Sequence, residues 1–444
     1  MFILNIKDDS RKIKKGDTFI AIDNGKNYII DAINNGASKV IVEEGLYNVE
    51  TLTVSNTHEY LINYLSNYKF NFKLIGITGT NGKTTSCYLI YQMLNKLGYK
   101  CAYIGTIGFY KDKFVRNLNN TTPDVLELYE MLLECSDYDY VVMEVSSHAL
   151  DKKRIGKLLY DYTVFTNLTR DHLDYHKTFE NYLFSKQKLF KSLKEDGIGI
   201  INSDDSFKNY FMDCNHITYG LDSNDFKIID YSFDLNGTNF SIKYLDNIYD
   251  FNTKLIGKYN IYNALVSIII GFMENIPYDK IKNVLKELEE PKGRMQKLKL
   301  GNNLIIIDYA HTPDALMNVI NTVGELKHNR IITLIGCGGN RDKSKRPIMG
   351  DIATKYSSYV IFTNDNPRDE DEMDIINDII DGVKSNNYLI EKDREKAIIK
   401  GLNMLLEEDI LLILGKGHEE YQIIKDKKIE FSDYKVVLNY LKNI

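Results

Sequence analysis

Cysteine is scarce in this sequence, and its distribution excludes two classes of protein. The cysteines are odd in number and show no C-x-x-C spacing; they are Cys87, Cys101, Cys135, Cys214 and Cys337. A disulfide-rich secreted domain or a zinc site would need paired or closely spaced cysteines. The distribution therefore predicts reduced thiols in a cytoplasmic protein. Tryptophan is absent altogether, which is typical of a biased genome composition and indicates no function.

Long apolar segments and an excess of positive charge are also missing. The longest apolar stretch, residues 264–273, is too short to cross a bilayer, and the N-terminus becomes charged too early for a signal peptide. The net charge of −6 argues against a nucleic-acid-binding protein, which would carry a basic domain. We therefore expect a cytoplasmic protein that binds neither nucleic acid nor a membrane, and its length suggests about two to four domains.

The most informative stretch is residues 73–97, KLIGITGTNGKTTSCYLIYQMLNKL. An apolar run predicts a buried strand, a glycine-containing loop follows it, and an apolar face predicts a helix that begins at Lys83 and stops at Gly98. The backbone N–H groups of such a loop and the N-terminus of the helix bind phosphate. The stretch therefore predicts an ATP site. A glycine-rich turn without nucleotide is the alternative, because Ile77 replaces the usual first glycine.

The residues of this loop are the first predicted ATP contacts. They are Gly79, Thr80, Asn81, Gly82, Lys83, Thr84 and Thr85. In loops of this kind the lysine reaches the β- and γ-phosphates and the hydroxyl that follows it binds Mg²⁺. Lys83 is therefore a predicted catalytic residue, and Thr84 is a predicted metal ligand.

Alternating apolar runs and helical stretches predict an α/β protein of three domains. Residues 1–72 are expected to form a small α/β domain, residues 73–296 a central domain with a largely parallel sheet, and residues 297–444 a C-terminal, Rossmann-like α/β domain. Alternation around Asn236-Gly237 predicts an antiparallel appendage on the central domain. We interpret EEPKGRMQKL, residues 289–298, as a linker.

Polar motifs follow the predicted strands, where parallel sheets collect their ligands. In chain order they are TTPD (121–124), EVSSHAL (144–150), NLTRDHLDYH (167–176), DYAHTPDAL (308–316), GCGGNRDKSKRP (336–347), NDNPRDE (364–370) and GKGHEEYQ (415–422). With DSR (9–11) and GTNGKTT (79–85), these motifs resemble, in the same order, those of the Mur ligases, in particular of the MurE type. Mur ligases are the ATP-dependent amide-forming enzymes of peptidoglycan precursor synthesis.

The resemblance implies a reaction, a cofactor and substrates. ATP would phosphorylate a carboxylate in the presence of Mg²⁺, and an amine would attack the acyl phosphate. The expected enzyme is a monomer that adds meso-diaminopimelate to the D-glutamate of UDP-N-acetylmuramoyl-L-alanyl-D-glutamate, with residues 1–72 binding uridine. Three alternatives stay open: the L-lysine-adding ligase of the same family, a folylpolyglutamate synthetase-like ligase, and a nucleotide-binding protein without enzymatic activity.

The resemblance also assigns residues to the UDP substrate and to ATP. The positions that match contacts of the UDP-N-acetylmuramoyl-peptide are Ser10, Thr121, Thr122, Ser146 and Arg154. Further positions that match ATP contacts are Asn263, Arg294 and Asp308, the last two having a linker charge and a strand-end cap as alternatives. Lys152 stands where the family commonly has Gln. Asn340 stands where it commonly has Asp, a difference that we expect to loosen the loop.

Four positions match magnesium ligands of the family: Thr84, Glu144, His172 and Lys186, the lysine as a carbamate. Lys83, His172 and Lys186 are thus the predicted catalytic residues. We expect Glu144 and His172 to follow adjacent strands. Without the resemblance, Glu144 would be interpreted as a capping carboxylate, His172 as a structural histidine and Lys186 as a solvated lysine.

The C-terminal domain is expected to bind the amine. The matching positions are Arg341, Asp365, Asn366, Pro367, Arg368, Gly415 and Glu419. An amino acid whose side chain ends in its own ammonium and carboxylate needs both signs of charge in one pocket. In the family the DNPR version of this loop accompanies meso-diaminopimelate, and lysine-adding members usually lack its arginine. A plain Asn-Pro-Arg turn is the alternative.

Overall fold

The computed structural model describes residues 4–443, and the chain divides into two compact units. The first unit comprises Met1–Thr78, Gly98–Thr163 and Ser185–Gly199, and the second comprises Gly79–Leu97, Val164–Phe184 and Ile200–Ile444. The three domains bounded at residues 72/73 and 296/297 stay a prediction. None of the helices in the described residues is long and apolar enough to cross a membrane.

The regular elements of the described residues are numbered in chain order. The strands are β1 (Ile6–Lys7), β2 (Thr18–Ile20), β3 (Lys39–Val42), β4 (Glu50–Thr53), β5 (Lys73–Thr78), β6 (Cys101–Gly105), β7 (Gly108–Tyr110), β8 (Phe114–Arg116), β9 (Tyr140–Glu144), β10 (Tyr160–Phe165), β11 (Leu193–Asn202), β12 (His216–Gly220), β13 (Phe226–Asp234), β14 (Gly237–Tyr244), β15 (Asn247–Thr253), β16 (Gln296–Leu300), β17 (Asn303–Asp308), β18 (Ile331–Ile335), β19 (Tyr359–Phe362), β20 (Tyr388–Ile390), β21 (Ile410–Leu414), β22 (Tyr421–Ile424) and β23 (Lys427–Glu430). The α-helices are α1 (Ile29–Asn34), α2 (Thr57–Leu65), α3 (Lys83–Lys96), α4 (Val125–Glu134), α5 (Ser147–Asp151), α6 (Leu173–His176), α7 (Phe179–Phe190), α8 (Lys258–Met273), α9 (Tyr278–Leu285), α10 (Pro313–Gly324), α11 (Arg346–Tyr356), α12 (Glu372–Ile380), α13 (Arg394–Asn403) and α14 (Asp433–Lys442). Short 3-10 helices occupy Ser10–Lys12, Asp23–Tyr28, Lys208–Phe211 and Lys343–Lys345.

The first unit contains two sheets. Its N-terminal sheet has the order β1-β2-β3-β4 with all strands parallel, and Phe19 and Val40 lie in its core. The other sheet has the order β11-β10-β5-β9-β6-β7-β8, in which β9 pairs parallel with β5 and β6. β7 and β8 form an antiparallel edge that the sequence did not predict. The predicted α/β class with a mainly parallel central sheet is confirmed.

The strand order of this sheet corrects one expectation. β5 lies between β9 and β10. Glu144, at the end of β9, and His172, beyond the end of β10, therefore do not follow adjacent strands, and that prediction is wrong. Crossover connections decide which parallel strands become neighbours, and the order of strands along the chain does not reveal it.

The appendage belongs to the second unit. β12 pairs parallel with β13, and β13, β14 and β15 form an antiparallel meander. The predicted turn at Asn236-Gly237 leads into β14. Gly237 has a φ of +149°, and a Cβ at this position would lie 2.0 Å from the carbonyl oxygen of Thr253. The turn therefore requires glycine, and the predicted antiparallel appendage is confirmed.

A second sheet of the same unit has the order β16-β17-β21-β18-β19-β20 and is parallel except for β16. Its central strands are buried runs of Ile and Leu, as a sheet covered on both faces requires. β16 corrects the linker interpretation, because residues 296–300 pair with β17. Leu298 and Leu300 pack against the core while Lys299 is exposed, so the alternation is that of an edge strand.

A fully buried arginine joins the carboxyl ends of two central strands of this sheet. Arg394, from α13, is 0% exposed and donates to the carboxylate of Asp433 at 2.7 and 2.8 Å. Its remaining N–H groups donate to the carbonyl oxygens of Asn364 at 3.0 Å and Leu414 at 2.9 Å. The guanidinium therefore fixes the points at which the DNPR and GKGHE loops begin.

Candidate active site

The loop after β5 has the backbone of a phosphate-binding turn. Gly79 has a φ of +151°, and a Cβ there would lie 1.9 Å from Oγ1 of Thr166. Gly82 has a φ of +86° and caps α3, and its Cβ would lie 2.6 Å from Oδ1 of Asn263. Both positions are therefore restricted to glycine by conformation and by space. The N-terminus of α3 is thereby kept open for an anion.

A neighbouring segment of the second unit holds this loop in place. The N–H groups of Thr80 and Asn81 donate to the carbonyl and side-chain oxygens of Asn167, both at 2.9 Å. The hydroxyl of Thr166 donates to the carbonyl oxygen of Asn81 at 2.6 Å. Sequence analysis missed Thr166 and Asn167 as supporting residues, although the end of a strand beside the NLTRDH motif was a signal for them.

Lys83 and the two threonines that follow it begin α3. The ammonium of Lys83 donates to the carbonyl oxygens of Gly79 and Thr80, each at 2.8 Å. Thr84 and Thr85 are buried in the first turn of the helix. The lysine charge is therefore at the phosphate loop, where it can neutralise phosphate oxygens.

A cavity of about 530 Å³ lies beside this loop in the second unit, a volume within the range of ligand pockets. Its lining includes Gly82, Thr85, Asn263, Arg294 and Asp308. Predicted ATP residues from distant parts of the chain therefore surround one cavity. Their roles as ATP contacts stay predictions.

Arg294 and Asp308 connect the cavity to the segment 293–295. Arg294 donates to the hydroxyl of Thr84 at 3.4 Å and lies 4.6 Å above the ring of Tyr309. Asp308 accepts the N–H groups of Met295 and Ala310, each at 2.7 Å. Burial raises the pKa of Asp308, whereas Arg294 and these N–H groups lower it. Asp308 thus caps backbone N–H groups at the end of β17, as the alternative interpretation of this residue predicted.

Four residues that line this cavity have a buried side-chain atom without a hydrogen-bond partner among residues 4–443, and two of these atoms are donors on the linker side of the cavity. These two donors are the hydroxyl of Tyr259 and Nε of Arg294. Burial raises the pKa of Tyr259, so the hydroxyl remains a donor at neutral pH. Since buried polar groups are normally paired, these two atoms mark where a polar ligand would bind.

We expect Tyr259→Phe to raise the KM for ATP by about threefold to tenfold with little change in kcat, because one hydrogen bond to the bound nucleotide is lost. Steady-state kinetics at saturating concentrations of the other substrates would measure this. Tyr262→Phe is a matched control, because the Tyr262 hydroxyl already donates to Asp204 at 2.5 Å. An equal KM for ATP in wild type and Tyr259→Phe would contradict the prediction.

His172 lies at the start of α6 in the second unit. Its ring Nε2 is 3.3 Å from Oδ2 of Asp171, and its backbone N–H donates to Oδ1 of the same residue at 2.9 Å. Burial raises the pKa of Asp171, but His172, His311 and Lys345 together outweigh burial and lower the pKa to about 2. An ionised carboxylate therefore orients the imidazole.

Glu144 and Lys186 both belong to the first unit. Glu144 is buried and accepts hydrogen bonds from the Tyr103 hydroxyl at 2.5 Å and from the N–H and hydroxyl of Thr106 at 2.8 and 3.0 Å. Lys186 is 1% exposed, so its interpretation as a solvated lysine is excluded. The adjacent Ser185 donates to the carbonyl oxygen of Ser147 at 2.7 Å and fixes that part of α7.

The predicted UDP-substrate residues also lie in the first unit. The Thr122 hydroxyl accepts the N–H of Ser146 at 3.0 Å, and Arg154 donates to the carbonyl oxygen of Thr122 at 3.2 Å. Thr121 lies 3.0 Å from the hydroxyl of Thr106. A cavity of about 1100 Å³ is lined by Ser10 and Arg154 among others, but not by the remaining predicted residues.

The predicted amine-binding residues meet at the strand ends of the C-terminal sheet. Asn366 donates to Glu419 at 2.7 Å, and Arg368 donates to the carbonyl oxygen of Gly339 at 2.8 Å. Arg368 has a φ of +53°, and its N–H and carbonyl groups pair with residues 423 and 425. Burial and Arg341 lower the pKa of Arg368, whereas Asp365 and Glu419 raise it, so both signs of charge lie close together.

Three glycines and a proline set the packing of these loops. A Cβ at Gly415 would lie 2.8 Å from Oδ2 of Asp365, and one at Gly339 would lie 1.9 Å from the carbonyl oxygen of Pro367. A Cβ at Gly338 would lie 3.0 Å from Nη1 of Arg368. Small residues are therefore required where the loops cross.

Asn340 holds its loop instead of loosening it. Its amide donates to Asp369 at 2.9 Å and its backbone N–H donates to Glu370. The fully buried Arg346 binds Glu370 at 2.8 and 2.9 Å and the carbonyl oxygen of Gly338 at 3.2 Å. An aspartate at position 340 would place its carboxylate against that of Asp369, so asparagine suits this loop. Arg341 beside it is exposed.

Comparison with known proteins identifies the family. The Mur ligase middle domain matches residues 77–271, and the Mur ligase, glutamate ligase domain matches residues 293–417. A Clostridium perfringens protein named UDP-N-acetylmuramoyl-L-alanyl-D-glutamate–2,6-diaminopimelate ligase is 43% identical and covers 99% of this chain and 95% of its own. The chain belongs to the Mur ligase family. It is therefore an ATP-dependent ligase, which confirms the recognition made from the motifs.

Solved structures agree with this assignment to the Mur ligases. A UDP-N-acetylmuramoyl-L-alanyl-D-glutamate–2,6-diaminopimelate ligase matches with a TM-score of 0.69 at 31% identity, covering 99% of this chain and 95% of its own. The MurF ligase of Thermotoga maritima, solved in complex with ADP, matches with a TM-score of 0.71 at 19% identity, covering 93% and 95%. The second likeness shows the fold alone.

The predicted metal ligands of this Mur ligase divide between the units. Thr84 and His172 lie in the second unit, and Glu144 and Lys186 lie in the first. Among the described residues, no group of three or more His, Cys, Asp and Glu side chains is arranged to hold a metal ion. The donors offered are a hydroxyl, a carboxylate and an imidazole, and the oxygens among them are of the kind that Mg²⁺ prefers.

One charged residue at the centre of the loops predicted to bind the amine was not predicted from the sequence. Lys416 is 0% exposed and contacts both Asn366 and Glu419, which were predicted. The GKGHE motif contains this lysine, but a lysine in a loop is ordinarily exposed. Only the packing of two distant loops reveals that it is buried.

Proposed function

We propose that this Mur ligase joins the D-glutamate carboxylate of UDP-N-acetylmuramoyl-L-alanyl-D-glutamate to an amine of meso-diaminopimelate, with conversion of ATP to ADP and phosphate. The names of the relatives at about 40% identity support this reaction. We also propose a monomer of three domains in the cytoplasm. None of the five cysteines, which all lie in the described residues, forms a disulfide, and this suits a reducing compartment.

The proposed chemistry proceeds in two steps. The substrate carboxylate attacks the γ-phosphorus of ATP, which gives an acyl phosphate and ADP, and the amine then attacks the acyl carbon and releases phosphate. Lys83 and the N–H groups at the start of α3 neutralise the phosphate oxygens throughout. Mg²⁺, when bound, would spread the charge of the transferring phosphoryl group, and its proposed ligands are Thr84, Glu144, His172 and carbamylated Lys186.

The observation that carries the choice of amine is the pairing of opposite charges in the DNPR and GKGHE loops. The guanidinium of Arg368 has hydrogen-bond donors beyond the one that binds Gly339, and Glu419 lies in the same set of loops. A carboxylate of the amino acid would bind Arg368, and an ammonium would bind Glu419. L-lysine offers only the ammonium at its side-chain end.

A panel of amino acids tests the proposal. The full chain is incubated with ATP, Mg²⁺, the UDP-dipeptide and one of meso-diaminopimelate, L-lysine or L-glutamate, and ADP release is measured. We expect kcat/KM for meso-diaminopimelate to exceed that for L-lysine by about a hundredfold or more. A preference for L-lysine would refute the role given to Arg368. Activity with L-glutamate and a folate in place of the UDP-dipeptide would favour the folylpolyglutamate synthetase-like alternative.

We expect Arg368→Leu to lower kcat/KM for meso-diaminopimelate by about tenfold to a hundredfold, because a carboxylate loses its charged partner. Weak turnover of L-lysine should change little, since it has no distal carboxylate, and this provides an internal control. The same amino-acid panel measures both values. An equal loss with both amino acids would show that Arg368 acts on the loop rather than on the distal carboxylate.

A further inference from the structure

Lys416 is enclosed between the two loops proposed to bind the amine. Its side chain is 0% exposed, and its ammonium lies 3.1 Å from Oδ1 of Asn366, 3.1 Å from Oε2 of Glu419 and 3.8 Å from Oδ1 of Asp365. A buried ammonium is tolerated only with such partners, because desolvation is costly. The position of Lys416 is thus closely determined by its contacts.

The contacts of Lys416 fix the orientation of the Asn366 amide. Oδ1 of Asn366 accepts from the ammonium and from the N–H of Ile423 at 2.9 Å. The NH₂ group is therefore directed to Oε2 of Glu419, to which it donates at 2.7 Å. Oε2 receives two donors in this way, and no residue among 4–443 forms a hydrogen bond to Oε1 of Glu419. That oxygen is available to a further donor.

Lys416 also determines the net charge of the cluster that it forms with Asp365 and Glu419. Asp365 and Glu419 contribute two negative charges and Lys416 one positive charge, which leaves one negative charge in total. The other titratable or charged groups that act on this cluster are Arg368, Arg394, Tyr309, Tyr421, His418 and Cys337. Of the two arginines, Arg368 has N–H groups available to a ligand, because those of Arg394 donate to Asp433 and to two backbone carbonyl oxygens. The cluster and Arg368 thus match one ammonium and one carboxylate.

We propose that Lys416 is a positioning and specificity-determining residue, which orients Asn366 and Glu419 toward the ammonium at the distal end of the amino-acid substrate. It compensates the charge of Asp365, so that the pocket accepts a zwitterionic end in preference to an ammonium alone. This inference rests on the proposed function, because it refines how the amine is recognised.

Lys416→Met tests the proposal in the full chain. We expect the KM for meso-diaminopimelate to rise about tenfold or more, because hydrogen bonds to a charged group are lost. The values of kcat and of KM for ATP and the UDP-dipeptide should change by less than about threefold. The preference for meso-diaminopimelate over L-lysine should fall in parallel. Lys428→Met is the matched control, because Lys428 lies over the ring of Tyr421 in the adjacent hairpin and, within the described residues, hydrogen-bonds to neither Asn366 nor Glu419.

The pH dependence of KM separates positioning from simple structural support. Burial and Asp365 raise the pKa of Glu419, and Lys416 lowers it. Without Lys416 the carboxyl titrates at higher pH, so more of it is protonated at neutral pH and cannot bind an ammonium. In Lys416→Met we therefore expect the KM for meso-diaminopimelate to fall as pH rises from about 6.5 to 8.5, more steeply than in wild type.

A double variant gives an independent test if Lys416→Met folds poorly. Asp365→Asn combined with Lys416→Met restores the net charge of the cluster, and we expect it to recover part of the lost affinity for meso-diaminopimelate. Wild-type KM and selectivity in Lys416→Met, or no recovery in the double variant, would overturn the inference. If the wild-type enzyme does not use meso-diaminopimelate, the proposed function fails instead, so the two failures are distinguishable.

Discussion

Replacement of Lys83 by methionine is expected to lower the turnover of the ligase by about a thousandfold. The lysine lies at the phosphate loop with its ammonium bound to the carbonyl oxygens of Gly79 and Thr80. When ATP binds, the ammonium of Lys83 would move from these carbonyl oxygens to phosphate oxygens. Methionine keeps the approximate length of the side chain and removes the charge, so the charge that develops on the γ-phosphate would lose this cation. ADP release with the UDP-dipeptide and amino acid present measures the loss.

The control for this variant is Lys96→Met, at the other end of the same helix. Lys96 is partly exposed and forms an ion pair with Glu287 at 2.9 Å, far along α3 from the loop. We expect its turnover to stay within about twofold of wild type, because an exposed ion pair contributes little. A Lys83→Met enzyme with more than a tenth of wild-type turnover would contradict the assignment of Lys83 to the phosphates.

Replacement of Lys186 by alanine is expected to lower turnover by about a hundredfold or more, and high bicarbonate should not restore it. Lys186 is 1% exposed, and its amine would add CO₂ in the uncharged form. The addition gives a carbamate and a proton, and it converts a potential cation into an anionic oxygen ligand. Alanine has no nitrogen to carry the carbamate, so added bicarbonate cannot rescue the variant.

Lys188→Ala provides a matched control on the same helix. Lys188 is partly exposed and pairs with Asp151 at 3.1 Å, so its loss should leave turnover nearly unchanged. Carbon-13 NMR with labelled bicarbonate gives a second readout, with a carbamate signal expected in wild type and Lys188→Ala and absent in Lys186→Ala. Full activity of Lys186→Ala would remove this lysine from the mechanism.

The elements that the sequence predicted well are those with a local signal. The strand before the phosphate loop ends just ahead of Gly79, and the helix after the loop ends just ahead of Gly98. Both glycines have a positive φ. The central strands of the C-terminal sheet are short apolar runs that stop at polar motifs. The strands β7, β8 and β16 were missed because they are short and partly polar, and only their pairing with neighbouring strands reveals them.

The residues that support the site could not be predicted from local sequence either, because their burial depends on contacts with distant segments. Lys416, Arg346 and Arg394 are charged, and composition favours a surface position for such residues. Each is buried because carboxylates or amides from remote segments surround it. The wrong prediction that Glu144 and His172 follow adjacent strands has the same cause. Which strands become neighbours in a sheet depends on the path of the whole chain.

The ion pair between Arg394 and Asp433 connects the loops proposed to bind the amine to helix α14. Asp433 begins α14, and through Arg394 it secures the two strand ends from which the DNPR and GKGHE loops depart. We therefore expect a chain that stops just ahead of Asp433 to lose most of its turnover, although residues 1–432, including both loops, would be kept.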